Sequence, residues 1–153
     1  MKTKKNNPKQ GNVVEEEVKI WSDEQLYKAL VYVEDLMDKA MMPMLLWGET
    51  AHSVFNDELF GDRIQIATYQ DSFNYLSESI IQDNAKIEIK DMDNAGTCKS
   101  ILRTEFEGVP IEILSVGRKD KYVNNPDTIR FRYASYLIPN PIKDYLRELV
   151  ESF

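Results

Sequence analysis

One cysteine, Cys98, and one histidine, His52, are all this chain has of the side chains that build thiolate frameworks and most zinc sites. An intramolecular disulfide and a multi-thiolate zinc centre are excluded, and a lone thiol suits a reducing compartment. A nucleophilic triad or a zinc site would have to be assembled from His52 with Ser53, Asp57 or Cys98, and no spacing among them supports one. No apolar run approaches the roughly 20 residues that span a bilayer, and no signal-peptide core follows the basic start. The expected location is cytoplasmic, without a membrane partner. Positive charge is scarce too: 19 Lys and Arg stand against 26 Asp and Glu, a net charge of −7. General nucleic-acid binding is not expected, because phosphate contacts need a basic surplus on one face.

What is present is enough for one core. With 153 residues, 42% of them apolar, the chain suits a single domain. Residues 1–20 read as a disordered or loosely ordered tail: Met1 to Asn12 carries Lys2, Lys4, Lys5 and Lys9 with no acid and little to bury, and Glu15 to Glu17 then reverses the sign. The folded domain is expected over residues 21–153.

Helix signals begin at Trp21. Ser22 is a good N-cap, Gln25 completes a capping box, and Leu26, Ala29, Leu30, Val33, Leu36, Met37 and Ala40 form an apolar stripe that stops before Pro43. Met44 to Trp47 reads as a short buried strand, Gly48 as a tight exit, and Glu49 to about Asp57 as a second helix. Asp62 to Thr68 alternates as a half-buried strand, with Arg63 and Gln65 on its polar face. Phe73 to Ile81 fits a further helix, Ala85 to Lys90 a strand, and Asp91 to Thr97 a turn. Cys98 to Phe106 and Val109 to Val116 flank Glu107-Gly108 and form a hairpin. Thr128 to Ile138 reads as one strand carrying Arg130 and Arg132 on one face. The last helix should start with Asn140 as N-cap and Pro141 as first residue.

Two stretches of this pattern carry chemistry. Met44-Leu45-Leu46-Trp47-Gly48-Glu49-Thr50-Ala51 followed by Asp62-Arg63-Ile64-Gln65-Ile66-Ala67, with Glu112 later between Ile111 and Ile113, resembles the nucleotidyltransferase fold of the DNA polymerase beta superfamily, in particular its small bacterial and phage members. The resemblance implies an α/β (α+β) fold with a mixed, mainly antiparallel sheet packed by helices. It implies a nucleotide-binding turn at Gly48, Glu49 and Thr50, where backbone amides at a helix start face phosphate. It also implies an Asp-x-Asp pair at positions 63 and 65 and a third carboxylate at Glu112.

The first two carboxylates are missing. The family needs them to hold the magnesium ions that organise the triphosphate and its attacking hydroxyl. Arg63 would put a cation in the metal position, repelling each unit of metal charge by about 4 kcal/mol at about 4 Å and an effective dielectric of about 20. Glu49 would fill and repel at the phosphate cradle, whereas in the first turn of a helix it meets the macrodipole favourably.

The expected function is therefore a catalytically degenerate nucleotidyltransferase-like protein, a pseudoenzyme without cofactor that binds a nucleotide, a nucleic-acid end or a protein partner. One alternative is an active, magnesium-dependent nucleotidyltransferase with Glu112 and Asp62 as the metal ligands. Another is a structural or assembly protein. Arg63 is expected to pair with Glu112 in place of the lost metal.

Overall fold

The computed structural model describes residues 20–73, 75, 78, 88–91 and 98–151. The tail expectation for residues 1–19 lies outside them, as do most of the expected Phe73–Ile81 helix and the 92–97 turn.

Helix α1 (Asp23–Lys39) opens on the expected capping box: the Gln25 N–H donates to Ser22 Oγ, and the Ser22 N–H donates to Gln25 Oε1. Leu26, Ala29, Leu30, Val33, Leu36 and Met37 are buried. The helix ends with Met41 at φ 54°, the Met42 N–H reaching Met37 O and the Met41 N–H reaching Asp38 O. That pair of bonds satisfies carbonyls of the last turn and turns the chain toward the sheet.

Strand β1 (Leu45–Leu46) is shorter than the expected Met44 to Trp47 and leads straight into α2 (Gly48–Phe55). Strand β2 (Ile64–Tyr69) begins two residues later than expected. Then come β3 (Glu88–Asp91), β4 (Cys98–Phe106) and β5 (Val109–Val116). Glu107 and Gly108, both at positive φ, make the two-residue turn of the β4–β5 hairpin.

The expected single strand from Thr128 to Ile138 is instead a second hairpin, β6 (Asp127–Phe131) and β7 (Ala134–Ile138). Arg132, at φ 55°, turns the chain, so it does not share a strand face with Arg130. Its guanidinium stacks 4.1 Å from the Tyr27 ring centre and pairs with Asp23 and Glu24, which locks the hairpin tip to α1. Helix α3 (Ile142–Glu151) starts one residue later than expected, with the Tyr145 N–H closing its first turn on Pro141 O.

The seven strands form one sheet in the order β3-β4-β5-β2-β1-β7-β6. The β2–β5 and β1–β7 neighbours are parallel and the other four pairs antiparallel. The expected fold class, a mixed and mainly antiparallel sheet packed by helices, is the observed one. α1 crosses β2, β4 and β5, and its buried stripe joins Ile64, Ile66, Leu102, Ile111 and Ile113 in one core. Because side chains alternate along a strand, this burial turns Gln65, Arg103 and Glu112 to the opposite face, where Arg63, in the bend just before β2, joins them.

Candidate active site

Parallel pairing of β2 with β5 sets Gln65 directly opposite Glu112, and antiparallel pairing of β5 with β4 sets Arg103 opposite Glu112 on its other side. Three neighbouring strands thus present one row of polar side chains. The Glu112 side chain is only 8% exposed, yet each of its oxygens is engaged. Gln65 Nε2 donates to Oε1 at 3.0 Å; Arg63 NH1, at 3.2 Å, and Arg103 Nε, at 3.0 Å, both donate to Oε2. Burial pushes the Glu112 carboxyl up, but these hydrogen bonds from Gln65 and Arg103 and the charge of Arg63 outweigh it, so its pKa lies below the ordinary glutamate value.

Asp62 belongs to the same network. It lies in the bend before β2, where strand alternation does not apply, and its two oxygens accept from Arg63 Nε at 2.9 Å and NH2 at 3.1 Å. Hydrogen bonding to Arg63 holds the Asp62 carboxyl below its usual range. Arg63 in turn is kept protonated, first by Asp62 and then by Glu112. One guanidinium therefore bridges the two carboxylates expected as metal ligands.

The α2 start is as fully engaged. Gly48 adopts φ 52°, and a Cβ there would run into the Gln65 amide, so only glycine fits the approach. The Gly48 N–H donates to the Tyr145 hydroxyl at 2.6 Å and the Glu49 N–H to Gln65 Oε1 at 2.9 Å. Thr50 Oγ1 accepts from the Gln65 N–H at 2.8 Å, and Thr50 is buried. Burial between the Trp47 and Tyr122 rings pushes the Tyr145 hydroxyl pKa up, so it remains protonated. The glutamate expected to fill the cradle instead lies against Gly61.

The donor set does not fit a pair of magnesium ions. Magnesium takes oxygen ligands in a nearly octahedral shell, whereas Glu112 Oε2 and both Asp62 oxygens are turned to guanidinium groups and Glu112 Oε1 to the Gln65 amide. Among the described residues no three His, Cys, Asp or Glu side chains gather as a metal cluster. His52 packs edge-on against Phe60.

The sequence-expected residues Arg63, Gln65, Glu112 and Asp62 meet in space, and Gly48, Glu49 and Thr50 adjoin them through Gln65. Two members were missed. Arg103 was legible: counting outward from the two-residue Glu107-Gly108 turn puts it opposite Glu112. Tyr145 carries no such signal: nothing local brings its hydroxyl to a turn 97 residues away.

No protein-family model matches the chain, and no curated protein matches it. Among solved structures, a lincomycin-bound crystal structure of the lincosamide antibiotic adenylyltransferase LnuA superposes with a TM-score of 0.58 at 12% identity. The alignment covers 78% of this chain and 83% of that one. At that identity the likeness speaks for architecture alone, and the architecture of this chain is nucleotidyltransferase-like.

Proposed function

We propose that this protein has kept the nucleotidyltransferase frame, given up two-metal nucleotidyl transfer, and acts by binding a protein partner. The observation that carries the reading is the occupied site: Glu112 is held by Gln65, Arg63 and Arg103, and the α2 amides are spent on Tyr145 and Gln65. Transfer requires an open carboxylate cluster to seat metal and free amides to seat phosphate. The engaged Glu112 oxygens and the engaged Gly48 and Glu49 amides support neither. A net charge of −7 disfavours a nucleic-acid end, which leaves a protein as the partner.

The test is titration with each nucleoside triphosphate and magnesium, followed by calorimetry, melting temperature and pyrophosphate release. No binding heat, no rise in melting temperature and no pyrophosphate are expected. Pyrophosphate release that disappears in Glu112→Gln would instead establish an active nucleotidyltransferase, the reading that likeness to an adenylyltransferase favours.

A further inference from the structure

We propose that the outer face of α1 is a docking groove for the chain's own N-terminal segment, with Val13 and Val14 on its aromatic floor and the basic residues around Lys9 against its acidic end. The groove is an open cavity of about 390 Å³ whose apolar floor is Tyr27, Val31, Tyr32 and Phe106. Tyr32 and Phe106 stack with ring centres 4.7 Å apart. Glu24, Lys28 and Asp35 stand along α1 beside that floor, and Asp38, one turn further on, is exposed on the same stripe.

Along the helix the stripe therefore reads basic at Lys28, apolar at Val31 and Tyr32, and acidic at Asp35 and Asp38. Among the described residues Lys28, Asp35 and Asp38 form no salt bridge. The acidic end is also crowded. Burial, with the nearby charges of Asp38 and Asp35, pushes the Glu34 carboxyl up.

The N-terminal segment carries the complementary order in reverse. Going back from Ile20 it is acidic at Glu17 to Glu15, apolar at Val14 and Val13, and basic at Lys9, Lys5, Lys4 and Lys2. Ile20 lies two residues before the Ser22 cap, so the segment meets α1 at the Glu24 end of the groove. An extended chain advances about 3.3 Å per residue and a helix about 1.5 Å. A segment doubling back antiparallel to α1, with Glu16 level with Lys28, thus sets Val14 and Val13 level with Tyr32 to Asp35 and Lys9 about 8 Å beyond Asp38, a gap that the long lysine side chain spans back toward that carboxylate. Opposite charges thus meet at Lys28 and toward Asp38, with the two valines between them over the apolar floor, and a parallel course would carry the segment away from α1.

The test is disulfide trapping in the full-length chain with Cys98→Ser as background. Val14→Cys combined with Val31→Cys should cross-link within one chain, and faster than Val14→Cys with Lys119→Cys, an exposed position in the loop after β5. Asp35→Lys with Asp38→Lys should slow trapping about five-fold, the size expected when two exposed charge pairs are reversed. Adding Lys9→Glu and Lys5→Glu should restore it. Three results overturn the proposal: cross-links only between two chains, trapping no faster than the Lys119 pair, or a rate indifferent to the charge reversal.

Discussion

Gln65 does more for the site than the charged residue beside it. Its amide donates to Glu112 and accepts from the Glu49 N–H, so Gln65→Ala leaves a buried carboxylate oxygen and a backbone donor unpaired together. Arg63→Ala takes away a guanidinium that is 39% exposed, while Gln65 and Arg103 still hold Glu112. Gln65→Ala is therefore expected to cost about 2 kcal/mol and Arg63→Ala about 1 kcal/mol. Urea midpoints compared at constant m-value check this, and the reverse ranking would refute it. The same network sets a pH response. Because the folded pKa of Glu112 lies below its ordinary 4.5, its contribution is fully present above that pH and fades as pH falls through the folded value. The parent should lose stability faster than Glu112→Gln below pH 4.5. Parallel curves in acid unfolding would contradict the assignment.

At the scale of elements, chain turns carry their own signals and chain meetings do not. Ser22 and Gln25 announced the α1 start, and Glu107-Gly108 announced a hairpin whose register follows by counting. The β6–β7 hairpin was hidden because Arg132, not glycine or asparagine, holds the positive φ; its stack on Tyr27 and its pairs with Asp23 and Glu24 exist only once α1 is in place. Met41 is a similar case at the end of α1, at φ 54° with a side chain left 91% exposed. Met41→Gly gives up no packing and relieves the left-handed conformation, so it should stabilise by about 1 kcal/mol, read as a rise in melting temperature. Tyr145→Phe keeps the rings against Trp47 and Tyr122 but leaves the Gly48 N–H without its acceptor. It should cost about 1 to 3 kcal/mol in urea unfolding; a neutral result would show that water replaces the hydroxyl.

For the molecule as a whole, the decisive exchange is Arg63→Asp with Gln65→Asp. Three carboxylates would then share one sheet face and repel each other until a cation entered. The double variant should be less stable than the parent without metal and regain stability as magnesium is added, measured by melting temperature. Indifference to magnesium would mean that the frame no longer supports a metal site even with its acids returned. The sequence by itself determined the described elements other than the β6–β7 hairpin: apolar periodicity, the Ser22 cap, Gly48 and the Glu107-Gly108 turn are local facts, fixed by backbone sterics and by which side of a short segment must leave water. It also placed Arg63, Gln65 and Glu112 on polar strand faces, because alternation assigns a face before any partner strand is known. Only the tertiary structure decided what those faces meet. The parallel β2–β5 register set Gln65 against Glu112, β4 added Arg103, and α3 brought Tyr145 to the Gly48 amide. Such contacts join residues far apart in the chain, and their strength comes from low-dielectric surroundings that exist only after the sheet and its helices have closed around them.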